Sequence, residues 1–262
     1  METRIFENRR NFLSKKFLFQ IFKPLSEPKE VVFCFLFYSI AERNLLKGVT
    51  CILTSVKELH IISNGKMPIE QLREIVMDIH PYVTAIHLRE KQKTARELFQ
   101  AVELLSAANL PLSKVIINDR ADVALVTKAG GVQLAFHSLD AAIIKENFPQ
   151  LRVGSSIHSY EEGQQAKENG TDYVLYGHVF PSQSKPGMTP KGLNELTRLT
   201  QLAIPVIAIG GITPENTGQV LHAGAKGIAV MSGVLEALDP LSAVKAYLNV
   251  LKNGDGYNGR II

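Results

Sequence analysis

The chemistry in this chain gathers where short apolar runs end in small or ionisable residues. Ile204-Pro205-Val206-Ile207-Ala208-Ile209 stops at Gly210-Gly211, and Gly227-Ile228-Ala229-Val230-Met231 stops at Ser232-Gly233. Glycine lets a backbone turn sharply and bring its N–H groups against an anion, and a helix start follows each turn. Gly210, Gly211, Met231 and Ser232 are therefore candidate phosphate-binding residues. Tight strand-to-helix turns without a ligand would leave a similar trace; two adjacent ones near the end of an alternating strand and helix series favour the phosphate.

Ionisable side chains stand at other run ends. In Ile86-His87-Leu88-Arg89-Glu90-Lys91 a period of two puts His87, Arg89 and Lys91 on one face. That face suits an anionic substrate if it opens on a site, and surface carboxylates if it does not. Asn118 and Asp119 place an amide and a carboxylate at the next run end; Mg²⁺ on Asp119 stays open, but one carboxylate is a thin case and no metal site is assigned. Gly154, Ser156 and His158 share a phase, which makes His158 a candidate acid/base, because an imidazole takes and returns a proton near neutral pH. His178 follows in Tyr176-Gly177-His178-Val179-Phe180, and Ser182, Ser184 and Lys185 after it can reach a second anion.

Parallel strands must hold these groups. From Leu59 onward, β-branched runs alternate with stretches of helical period, the mark of βαβ units. We assign strands to Leu59–Ser63, Thr84–Glu90, Lys114–Asp119, Gly131–Ala135, Arg152–Ile157, Asp172–Val179, Pro205–Gly210 and Gly227–Ser232. Pro68, Thr94, Ser138, Ser159, Pro190, Pro214 and Pro240 lie near helix starts, and Ser159 to Glu162 reads as a capping box. Eight such units make an α/β fold, a single-domain (β/α)8 TIM barrel with its active site at the strand C-termini.

Composition fits one large domain: 262 residues, 45% hydrophobic and 21% charged. Of 29 Lys/Arg and 25 Asp/Glu, nine and five lie in residues 1–50, leaving 20 of each beyond. The excess charge belongs to the start of the chain, so no nucleic-acid footprint is expected on the domain. The two cysteines, Cys34 and Cys51, offer neither a disulfide framework nor a metal cluster, and a cytoplasmic location fits. The apolar run Val31–Ile40 is too short to span a bilayer and ill-placed for a signal peptide; a membrane-surface anchor stays open, but no stable insertion is expected. We read residues 1–50 as an upstream extension outside the core, with Val49 a candidate start and residues 51–262 the domain.

Taken together, these segments resemble the thiamine-phosphate synthase superfamily, and more closely its TenI branch of thiazole tautomerases. The resemblance covers about Leu59 to Leu251 and rests on His87 to Lys91, Asn118-Asp119-Arg120, Gly154 to Ser159, Asp172-Tyr173-Val174 and both glycine-serine turns, in the same order. Synthases of the superfamily carry a glycine, a glutamine and two acidic residues after strand four, the last helping the counterpart of Asp119 to hold the Mg²⁺ of a pyrophosphate substrate. Here that place reads Ala135-Phe136-His137-Ser138, with Asp140 out of register. Synthases also usually have Gly-Pro before Val-Phe on strand six, where this chain has Gly177-His178.

Both departures lead to an expected thiazole tautomerase, an isomerase of thiamine biosynthesis that aromatises carboxythiazole phosphate by a proton shift, with no cofactor. The resemblance implies that His158 is its acid/base and His178 assists or orients. The phosphate would be held by Gly210, Gly211, Met231 and Ser232, with Arg89, Lys91 and Lys185 supplying charge and His87, Asn118, Ser156, Ser182 and Ser184 lining the site. The expected partner is the small-molecule thiazole phosphate; a homo-oligomer stays open. Two alternatives remain: a thiamine-phosphate synthase joining a pyrimidine pyrophosphate to thiazole phosphate with Mg²⁺, and a non-catalytic regulatory protein that binds a phosphorylated ligand.

Overall fold

The computed structural model describes residues 56–253. The expectations for residues 1–50, for Cys34 and Cys51, and for a start at Val49 lie outside them. Eight parallel strands close into a ring, β1 Glu58–Ile62, β2 Ala85–Leu88, β3 Val115–Asn118, β4 Gly131–Leu134, β5 Arg152–Ile157, β6 Tyr173–Gly177, β7 Val206–Ile209 and β8 Gly227–Val230. β1 pairs with β2 on one side and β8 on the other, with His60 opposite both Ala85 and Ala229. The TIM barrel expected from the alternation is thus present.

The helices follow in turn: α1 Ile69–Ile79, α2 Ala95–Ala107, α3 Ala121–Thr127, α4 Ala141–Asn147, α5 Tyr160–Glu168, α6 Gly192–Thr200, α7 Pro214–His222, the single turn α8 Ser232–Leu235, and α9 Pro240–Asn253. Thr94 caps α2 in a reciprocal box with Glu97, and Pro214 and Pro240 open α7 and α9, where their missing N–H costs nothing. Ser159 caps α5 by accepting the Glu162 N–H, but the Glu162 carboxylate turns to the His158 N–H at 2.6 Å, so the expected box is shared with its neighbour. Ser138 is not a cap: Asp140 caps α4, accepting the Ala142 N–H at 3.0 Å. α6 begins two residues after Pro190.

Two cores result. Outward-facing strand residues such as Leu59, Ile117, Val132 and Ile228 pack with the helices into one continuous apolar layer. Inside the ring, Ile62, Leu175, Ile207 and Ala229 pack with the Tyr173 ring. Near the strand starts the interior is polar instead. Glu58 accepts from Arg152 at 2.7 Å and from His60 Nε2 at 2.9 Å, and His60 Nδ1 lies 2.9 Å from His87 Nε2. The Arg152 guanidinium caps the Tyr173 ring at 4.5 Å. These groups form a closed floor beneath the mouth.

Candidate active site at the barrel mouth

The mouth is built by the loops that leave the strand C-termini, where backbone groups and loop side chains converge. At the end of β7 the chain turns through Gly210 (φ +98°) and Gly211 (φ +65°), and only glycine takes both positions without strain. Space is as decisive as angle: a Cβ on Gly210 would come 2.3 Å from the His178 Cβ. The carbonyls of this turn are already engaged, Gly210 by the Phe180 N–H at 3.0 Å and Gly211 by the Asn216 side chain at 2.9 Å. Met231 is half-buried beside it, and Ser232 opens α8.

Across the ring, β3 ends at Asn118 and β4 at Leu134, and Asp119 ties their loops together. Its backbone sits in the left-handed region (φ +63°), a conformation uncommon outside glycine, held there by its N–H donating to the Gln133 carbonyl at 2.9 Å. Ser138 Oγ accepts the Ala135 N–H at 2.8 Å and donates to Asp119 Oδ1. His137 Nε2 stands 3.0 Å from Asp119 Oδ2. Sequence reasoning passed over His137 and, at the floor, Glu58, His60, Gln133 and Arg152. The alternation of Glu58 and His60 with Leu59 and Ile61 was the available signal for the floor.

The stripe drawn through His87, Arg89 and Lys91 does not hold together, because β2 ends at Leu88 and strand alternation ends with it. His87 is inside the floor; Arg89 is half-buried with its N–H on Ser63 Oγ at 2.8 Å; Lys91 is exposed in a turn. Burial pushes the His87 imidazole well below its ordinary range, helped by the charge of His60 and Arg152, and burial lowers His60 against the pull of Glu58. Burial alone would raise Glu58, but hydrogen bonds from His60 and Arg152 bring it to about 2.

Strand five divides its residues similarly. Ser156 is half-buried and accepts from Gln133 Nε2 at 3.1 Å. Gly154 leaves the room that lets Gln133 and Tyr173 approach, since a Cβ there would meet Gln133 Oε1 at 2.4 Å. His158 lies past the last strand residue, exposed, with Nδ1 3.5 Å from Glu162 in the first turn of α5. His178 is buried; its Nε2 donates to the Met188 carbonyl at 3.2 Å, and its buried Nδ1 has no hydrogen-bond partner among the described residues. Ser182 and Lys185 are half-buried and Ser184 is exposed in the loop between β6 and α6.

The residues present do not fit the Mg²⁺ centre that the superfamily's synthases imply. Mg²⁺ prefers hard oxygen ligands, usually carboxylates. Asp119 is the one carboxylate of the β3 and β4 ends whose two oxygens face the mouth loops, and Ser138 and His137 engage both of them. Asp140 is spent on the α4 cap and on Asn169, 2.8 Å away. No group of three or more His, Cys, Asp or Glu positioned for a metal occurs among the described residues.

Comparison with known proteins places this barrel. A thiamine-phosphate synthase from Chlorobium luteolum is 41% identical over 178 residues, 65% of this chain and 84% of that protein. One from Pyrococcus furiosus is 33% identical over 199 residues, 74% of this chain and 95% of its own length. The solved thiamine phosphate pyrophosphorylase of Pyrococcus furiosus superposes with a TM-score of 0.64 at 32% identity, covering 77% of this chain and 98% of that one. A 3-hexulose-6-phosphate synthase, at 20% identity and a TM-score of 0.58, shares the fold.

These relatives overturn the expected tautomerase and its classification as an isomerase: the two at 41% and 33% identity, matched over 84% and 95% of their own lengths, are named thiamine-phosphate synthases, and the solved one at 32% a thiamine phosphate pyrophosphorylase. The tautomerase expectation leaned on Ser138 and His178, two positions weighed against a whole barrel. Among the described residues no helix is long and apolar enough to cross a membrane. With residues 59–234 matching its family profile as well, the chain belongs to the thiamine monophosphate synthase family.

Proposed function

We propose that this protein is a transferase that joins a pyrimidine-methyl pyrophosphate to a thiazole phosphate, releasing pyrophosphate, the reaction that the superfamily resemblance implies for a synthase; relatives named thiamine-phosphate synthase support it. What supports this most is the placement of two different polar turns on opposite sides of one mouth. In a closed ring of eight strands, the β7 and β8 ends face the β3 and β4 ends. A reaction between two phosphorylated molecules needs two such places, with the reacting atoms between them.

Gly210, Gly211, Met231 and Ser232 then hold the thiazole phosphate through backbone N–H groups. Arg89, Lys91 and Asn118, with the Asp119 loop, meet the pyrophosphate of the second substrate. Ser156 offers a hydrogen bond beneath the rings. The loop carrying Ser182, Ser184 and Lys185 lies beside both anions and screens them from water. Mixing the purified protein with both substrates, with and without Mg²⁺, and following thiamine phosphate and pyrophosphate by chromatography tests this. Equimolar formation is expected; no product in either condition overturns it.

A further inference from the structure

The place where a second metal-binding carboxylate is missing is occupied by something with its own chemistry. His137 presents Nε2 to Asp119 at 3.0 Å, about half of its side chain is open to water, and no hydrogen bond to its Nδ1 occurs among the described residues. The pair is held from three directions. Asp119 is fixed by the Gln133 carbonyl and by Ser138, Ser138 is fixed by the Ala135 N–H, and the Phe136 ring sets its edge against the imidazole with centroids 4.9 Å apart. A carboxylate on one imidazole nitrogen orients the ring and turns the other nitrogen outward, where a ligand can meet it.

On the reading of this protein as a synthase, we propose that His137, oriented by Asp119, is the general acid for the departing pyrophosphate, in the role that a two-carboxylate Mg²⁺ centre would otherwise fill. The C–O bond between the pyrimidine methylene and the pyrophosphate breaks with its electron pair going to the oxygen. The Nδ1 proton passes to that oxygen, and the lone pair of the thiazole ring nitrogen forms the new C–N bond. His137 leaves the step neutral and recovers a proton from water. Asp119 is a positioning residue, and Ser138 positions Asp119 in turn.

The test combines turnover with a measurement that needs none. Chelator-treated parent, His137→Gln and Asp119→Asn are compared for thiamine phosphate formation with and without added Mg²⁺. In parallel, inorganic pyrophosphate is titrated into Mg²⁺-free protein while the imidazole nitrogens are followed by ¹⁵N NMR. The parent should keep its rate after chelation, and His137→Gln should lose about 10²- to 10⁴-fold in kcat, the usual range for a general acid, with KM for the thiazole phosphate little changed. Asp119→Asn should fall between them, and pyrophosphate should shift the His137 Nδ1 resonance. Activity that vanishes on chelation and returns with Mg²⁺, or a His137→Gln variant near the parental rate, overturns the assignment. If the parent makes no product under any condition, the synthase reading fails. The NMR titration then decides the anion site alone, a shifted Nδ1 keeping it and an unmoved one removing it.

Discussion

At the strand starts, Glu58, His60, His87 and Arg152 are packed into the barrel and bonded to one another; at the strand ends, Asp119 and His137 form their pair partly in water. Both sets combine histidine with a carboxylate at about 3 Å, yet their surroundings give them different work. The floor is sealed by Tyr173 and the apolar layer above it, so its pKa shifts come from burial and from an internal ion-pair network. The mouth pair sits where a ligand can arrive. A search for function by perturbed titration alone would land on the floor, because structural ion-pair networks perturb pKa values as active sites do.

Arg152→Met should break this contrast most strongly. It leaves the Glu58 carboxylate, 13% exposed, without its cation, and Arg152 is itself about one-third exposed. Removing one partner of a buried pair costs about 3–5 kcal/mol, so with this exposure we expect about 3 kcal/mol. That corresponds to a fall in Tm of roughly 6–12 °C for a domain of this size. Activity per folded molecule should stay parental. A stable Arg152→Met protein with lost activity would make the floor part of the site.

Gly210→Ala comes next. The added methyl meets the His178 Cβ in a left-handed backbone, at a cost of about 1–3 kcal/mol. Affinity for inorganic phosphate should fall about tenfold, worth about 1.4 kcal/mol. Parental phosphate affinity in calorimetry, with the stability loss present, would detach the turn from the ligand.

Acid should act on the floor. His60 and His87 have folded pKa values below the ordinary one, so the unfolded chain binds more protons and stability falls as pH drops below about 6.5. Glu58 is depressed instead, and its contribution is lost lower, between the ordinary glutamate value and about 2. Thermal scans from pH 7.5 to 5.5 should show a declining Tm, with a shallower slope in His87→Gln. Identical slopes would mean that the buried histidines do not titrate on unfolding.

Phe136→Ser should do least to stability. The ring is 96% exposed, and surface changes of this kind stay within about 0.5 kcal/mol. An effect on turnover greater than on Tm would sharpen the assignment of this loop to chemistry.

Strand positions were legible because parallel barrel strands are buried on both faces and read as apolar runs such as Val115-Ile116-Ile117 and Val206-Ile207-Ala208-Ile209. The turns at Gly210 and Gly211 were legible for a related reason: positive φ selects glycine at single positions. Side-chain direction past the strand ends was not. Alternation holds only while the backbone stays extended, so the phase drawn through His87, Arg89 and Lys91 expired at Leu88, and that drawn through Gly154, Ser156 and His158 expired at Ile157.

By itself, then, the sequence determined the barrel, the order of its strands and the glycine turns, because each depends on local backbone preference or on a periodic apolar face. The tertiary structure alone decided which polar residues meet. His137 reaches Asp119 across 18 positions, and Arg152 reaches Glu58 across 94. Closing the ring creates both contacts, since pairing β1 with β8 and β3 with β4 sets the register that brings distant residues within hydrogen-bond reach.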